Sequence, residues 1–186
     1  MVPITHVPAT LDDLYPVDGK AELIGGRIVR SMPSGDAPSS AAFEIAVSLR
    51  DHAKRTNSGS AYDGVGYALR RPLPNGRQSF SPDASYHTGP RPRNRMRLID
   101  GPPVFAVEVR SEGNYGPAAE TSQAAKRADY LAAGTLVVWD VDPIARTVVA
   151  FRADAPTQPK SYSAGQMADA EPAVLGWRIN VDDIFV

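Results

Sequence analysis

Three stretches decide the fold: residues 104–110, VFAVEVR; residues 117–132, PAAETSQAAKRADYLA; and residues 135–142, TLVVWDVD. The first is β-branched and apolar, bounded by Pro102-Pro103 and by Ser111-Glu112-Gly113, and predicts a strand. The second opens on a proline and stops before Gly134, the asymmetry that marks the two ends of a helix. The third is almost continuously apolar, as strands buried on both faces are. Strand, helix and buried strand in that order form a crossover unit between neighbouring parallel strands. An α/β fold follows, with a central mixed β-sheet flanked by α-helices.

Outward from this unit, residues 146–152 add a strand by a hairpin across Asp142-Pro143. Residues 62–71 and 80–87 read as strands, the second irregular at Pro82, which cannot donate a ladder hydrogen bond. The Gly64-x-Gly66 pair inside the first reads as a bulge. Residues 39–55 predict a helix capped by Ser39 or Ser40, with Phe43, Ala46, Val47, Leu49 and Ala53 on its apolar stripe. Gly25-Gly26 between two apolar runs predicts an N-terminal β-hairpin, residues 21–24 with 27–30. Thr10 and Asp13 form a weak capping box opening a short helix at 11–15. The expected organisation is a single domain over residues 1–186. Its core covers about 11–152, and a Pro- and Ala-rich C-terminal extension, 153–186, adds only an edge strand at 177–181.

The 186 residues include no cysteine, which excludes disulfides, thiolate metal sites and a Cys nucleophile. No run of about 18 apolar residues is present, and residues 1–14 lack the basic and apolar regions of a secretory leader. A cytoplasmic protein without membrane contact is expected. The net charge of −1 conceals a segregation: residues 70–97 carry seven arginines against the single acid Asp83, a local net of +6. Arg91, Arg93, Arg95 and Arg97 are candidates for contact with the phosphate backbone of DNA, a solvated loop being the bland alternative.

Period-two alternation places Phe105, Val107 and Val109 on one face of their strand and Val104, Ala106, Glu108 and Arg110 on the other. An acid in the middle of an apolar strand needs a partner or a metal, which makes Glu108 a candidate. Asp83, in Ser81-Pro82-Asp83, is a second acid in a similar setting. Two such carboxylates offer oxygen-only ligands, which suit Mg²⁺ or Mn²⁺. The helix after Glu108 carries Gln123, Lys126 and Tyr130 on one face. Lysines number only four among 20 basic residues, so Lys126 stands out. Its ammonium can position water or stabilise phosphorane charge. Arg110 is a rival cation. His6, His52 and His87 show no metal-like spacing, although a regular strand would let His87 reach the Asp83 pocket. Turn formation before Pro143 accounts for Asp140 and Asp142.

Taken in order, Ala21-Glu22-Leu23-Ile24-Gly25-Gly26, Ser81-Pro82-Asp83, Glu108-Val109-Arg110-Ser111, Lys126 with Tyr130 and Gly134, and Val138-Trp139-Asp140-Val141-Asp142-Pro143 resemble the Uma-two family of the PD-(D/E)XK, restriction-endonuclease-like superfamily. The resemblance spans residues 11–151. It implies a restriction-endonuclease-like core and a Mg²⁺-dependent endonuclease, homodimeric in many members. By analogy Asp83 and Glu108 bind the metal, Lys126 is a lysine that has migrated from strand to helix, Gln123 assists, and Glu22 is an upstream acid pointing into the site. The family's histidine at the start of the first long helix is absent, Glu44 standing one turn in, and Arg110 replaces a leucine. These departures motivate an alternative: a catalytically decayed module of the same fold that binds nucleic acid or protein.

Overall fold

The computed structural model describes residues 7–186. His6 and the beginning of the stretch read for a leader lie outside them. A short 3-10 turn, Asp12–Leu14, precedes β1 (Ala21–Ile24), β2 (Arg27–Arg30) and α1 (Asp36–Thr56). There follow β3 (Ser60–Asp63), β4 (Tyr67–Ala68), β5 (Ser79–Phe80), β6 (Ala84–His87) and β7 (Ile99–Asp100). The crossover unit is β8 (Phe105–Val109), α2 (Pro117–Ala133) and β9 (Val137–Asp142). Then come β10 (Thr147–Arg152), β11 (Ala155–Tyr162), β12 (Met167–Asp169) and β13 (Arg178–Asn180).

The main sheet has the order β11-β10-β9-β8-β6-β3. Its single parallel pair is β8 with β9, so the sheet is mixed as the crossover required. Alternation along β8 divides the core. Phe105, Val107 and Val109 join the large apolar cluster under α1. Ala106 joins the smaller one, with Tyr130 of α2 and Val138 of β9. The two helices therefore cover opposite faces, and Glu108 lies on the α2 side.

Five expectations need correction. The first long helix begins at Asp36 behind Gly35, and neither Ser39 nor Ser40 caps it. Asp36 in the first turn suits the positive helix end, and Pro38 is tolerated there because first-turn N–H groups have no intrahelical acceptor. Its buried stripe runs through Ala42, Ile45, Leu49 and His52, leaving Phe43 exposed. Residues 62–71 are not one strand. The chain turns at Gly64 (φ +64°) and leaves the main sheet for the three-stranded sheet β5-β4-β7. At Gly66 a Cβ would run into the Leu98 side chain, and the chain changes sheets here, so this pair of glycines is a corner, not a bulge.

Residues 153–186 add much more than an edge strand. β11 extends the main sheet, while β12 and β13 form a hairpin of their own. Trp177 packs tilted against Trp139 and Phe105 at centroid distances of 5.2 and 5.7 Å, and Ala168, Val174, Ile179, Val181 and Ile184 join the same core. The tail thus shares the cover of that sheet face with α1. Its alternating small and polar residues show no period, because turns and a short hairpin do the covering. Among the described residues no helix is long and apolar enough to cross a membrane.

Candidate active site

Asp83 sits at the break between β5 and β6 that Pro82 enforces. Its N–H donates to Val107 O at 2.9 Å, and its Oδ2 accepts the Val109 N–H at 2.7 Å. The carboxylate is thereby fixed against the C-terminal end of β8, beside Glu108. Glu108 Oε2 meets Lys126 Nζ at 2.7 Å, and Tyr130 Oη donates to Glu108 Oε1 at 2.7 Å. Lys126 and Tyr130 lie four residues apart on α2, the spacing that stacks side chains on one helix face.

Glu22 arrives from the hairpin. Leu23 N–H donates to Ser79 Oγ at 2.7 Å, and Leu23 O accepts the Gln78 N–H at 2.8 Å, which holds β1 beside β5. Glu22 Oε1 then lies 3.0 Å from Lys126 Nζ and accepts the Ser81 N–H at 3.0 Å. Its other oxygen receives Arg77, whose Nε donates to Asp129 of α2 at 2.7 Å. Lys20, two residues before Glu22 and so on the same side of the hairpin, places Nζ 2.6 Å from Asp83 Oδ1. These groups face a cleft of about 430 Å³.

The cluster separates its acids. Burial pushes the Glu108 carboxyl above the usual carboxylate range, with Lys126 and Lys20 opposing. Burial also acts to raise Glu22, but Lys126 and Arg77 outweigh it and hold that carboxyl low. For Lys126 burial favours the neutral amine, yet Glu108 and Glu22 keep its pKa above that of an ordinary lysine. Lys126 is therefore an ammonium at neutral pH: it can orient water or neutralise charge, and is not a general base. Burial likewise raises the Tyr130 phenol, which remains a donor. The cleft thus holds two carboxyls that burial and ion pairing push in opposite directions.

Asp83, Glu108, Lys126 and Glu22 are thus brought together. Gln123 lines the same cleft, but its Nε2 donates to Asn114 O at 2.9 Å and bonds none of the acids. The arginine run is elsewhere. It starts beyond His87, at the opposite end of β6 from Asp83, where Arg91 bonds Ser60 Oγ. It then returns to β7, and Arg97 pairs with Asp12 at 2.7 Å while lying 4.1 Å over the Tyr15 ring. His87 is at that end of β6 too, its ring 6.0 Å from Tyr67, and does not line the Asp83 cleft. Neither does Glu44 of α1.

Arg110 rims the cleft, but its guanidinium is committed to Asp140 through two bonds of 2.8 Å. Asp140 also receives Arg127 Nη1 at 2.7 Å, and Glu120 bonds both arginines. This corrects the turn reading for Asp140, which is a buried clamp between β9, β8 and α2. Asp142 does serve the turn, accepting the Ile144 and Ala145 N–H groups at 2.9 and 3.0 Å. Arg77 and Asp129 gave no local sequence signal. Lys20 did: it is one of only four lysines and stands in period two with Glu22.

The donor set fits a hard divalent ion. Asp83 and Glu108 offer oxygens only, and Mg²⁺ keeps several waters while taking one or two carboxylates. Among the described residues no three His, Cys, Asp or Glu side chains form a preformed metal cage. Lysine ammoniums, which can swing away, hold one oxygen of each acid.

A mixed sheet that presents two acids at the ends of adjacent strands, with a lysine from the following helix, defines a restriction-endonuclease-like α/β fold. The family model for Uma2, described as "Putative restriction endonuclease", matches residues 8–182. The chain belongs to this family. The structure is similar to a crystal structure of "a putative nuclease belonging to DUF820" from Anabaena variabilis ATCC 29413. The TM-score is 0.73 at 19% identity, covering 96% of this chain and 98% of that one. No curated protein matches the chain.

Proposed function

We propose that the protein is a divalent-metal-dependent endonuclease that hydrolyses DNA phosphodiesters in the cleft between the hairpin, β8 and α2. The observation that carries this reading is the convergence of Asp83 and Glu108, from neighbouring strands, on Lys126 and Lys20 in one open cleft. Four carboxylates, Glu22, Asp83, Glu108 and Asp129, are bonded to three cations, Lys20, Arg77 and Lys126. The formal surplus of one negative charge repels a phosphodiester, and a bound dication turns it into one positive charge, matched to a single phosphate.

Asp83 and Glu108 are the residues that hold Mg²⁺ or Mn²⁺, which supplies a Lewis acid and an acidified water. Lys126 contacts a non-bridging oxygen and stabilises charge as the phosphorane forms. Glu22 aims Lys126, Arg77 holds Glu22, and Tyr130 fixes the second oxygen of Glu108. Incubation with supercoiled plasmid is expected to give nicks with Mg²⁺ or Mn²⁺ and none with EDTA. A second reading, a decayed module that binds DNA without cutting it, draws on the internal cations that already bond these acids. It predicts retarded but intact plasmid under the same conditions. One site per chain cuts one strand at a time, so cutting both strands in a single encounter calls for two copies, and sedimentation with and without DNA tests for the homodimer.

The Arg91–Arg97 loop suits duplex flanking the cut, since Arg93 and Arg97 line a second cleft, with Asp12 and Tyr15, apart from the one that holds the acids. Replacing Arg93 and Arg95 together by Ala should weaken DNA binding. The slope of log K against log salt should flatten by about 2, with Mn²⁺ binding unchanged. An unchanged slope places the DNA elsewhere.

A further inference from the structure

We propose that Lys20 is a tethered competitor for the metal: its ammonium occupies the Asp83 position that a divalent ion takes, and yields it on binding. The inference rests on the reading of Asp83 as a metal ligand.

Lys20 Nζ is 2.6 Å from Asp83 Oδ1, while Oδ2 is bonded to the Val109 N–H. Of the two oxygens, the one free of the backbone is therefore the one Lys20 covers. The pair is partly sheltered, with side-chain exposures of 26% and 17%, so its attraction is less screened than that of a surface pair. Lys20 lines the same cleft as Glu108, the other proposed ligand.

The backbone presents this side chain without fixing its tip. Lys20 O accepts the Ser31 N–H at 2.9 Å, anchoring the base of the hairpin, and Gly19 before it takes φ +81°. The hairpin base is held while four methylenes remain to carry the ammonium away. Lys126 differs. It is gripped by two acids, Glu22 and Glu108, and leaving Glu108 would still keep it on Glu22. Among the described residues Lys20 has Asp83 as its one acidic partner, and once displaced its charge is free to face the phosphate in the same cleft.

The test is titration of the full chain with Mn²⁺ alone, followed by calorimetry. Lys20→Met keeps the aliphatic stem and removes the charge. It should bind Mn²⁺ about fivefold tighter than the parent, the factor expected from removing a competing ion pair of this kind. Lys54→Met, an exposed lysine of α1, should leave the affinity unchanged. Thermal unfolding of each variant checks that the fold is kept. Equal or weaker Mn²⁺ binding by Lys20→Met, with Asp83→Asn abolishing it, overturns the competitor role and leaves the metal site standing. Absence of Mn²⁺ binding in both parent and Lys20→Met overturns the metal site and the competitor together.

Discussion

Glu108→Gln is expected to lower Mg²⁺-dependent plasmid nicking by about 10³-fold or more while leaving the protein folded. The substitution keeps shape and removes one negative charge. Some melting temperature should be lost, because the buried Lys126 ammonium gives up one of its two carboxylates, but the fold should be kept since Glu22 still pairs with it. The amide oxygen can still accept from Tyr130 Oη. The amide nitrogen, however, faces Lys126 donor to donor, and Lys126 is left with Glu22 as its one carboxylate. The variant loses a hard oxygen ligand and half of the grip on the ammonium in a single change. Nicking rate, Mn²⁺ heat and melting temperature together decide it. Parental nicking would remove Glu108 from the chemistry, whereas a collapse of melting temperature with the activity would make the residue structural.

The crossover unit was legible because its information is local. Alternation along residues 104–110 assigned the two faces of β8, and the Pro and Gly bounds placed α2 within one residue of its end. Glu108 stood out since an acid between Val107 and Val109 violates the pattern of its own strand. Asp83 was marked by the proline before it. What stayed hidden depends on contacts between distant segments. Arg77 reaches Glu22 across 55 residues and Asp129 across 52, and no local period records that. The arginine run was visible as charge, but the cleft that Arg93 and Arg97 line depends on contacts with Asp12 and Tyr15, far off in sequence. The tail is irregular in sequence because it covers a face by turns, and Trp177 reports its burial only once Trp139 lies beneath it.

Lys20 is a different case, since the signal was present. Scarcity of lysine marked Lys126, and the same scarcity with the period-two step to Glu22 marks Lys20. Hairpin alternation has the same weight as strand alternation, and it places both side chains over the cleft.

The largest loss of stability is expected from Asp140→Ala, about 3–5 kcal/mol, read as a lower denaturation midpoint at unchanged m-value. Asp140 is buried, and two guanidiniums converge on it: Arg110 from the end of β8 and Arg127 from α2. Without the carboxylate these like charges remain close together with only Glu120, which is half exposed, to answer them. Arg127 is itself buried and lies 4.5 Å from the Phe151 ring centre, so it cannot swing fully into water. Glu120→Ala removes the outer partner alone and should cost no more than about 1 kcal/mol, because water replaces what it gave. The contrast separates a buried clamp from a surface network. It also bears on the cleft, since Arg127 directly follows Lys126 on α2, and the clamp fixes the helix rotation that aims the ammonium at Glu108. Asp140→Ala should therefore lose nicking activity even well below its melting temperature, with Mn²⁺ still binding at Asp83 and Glu108. Equal destabilisation by Asp140→Ala and Glu120→Ala would deny the clamp, and full activity in the folded Asp140→Ala protein would deny its role in aiming Lys126.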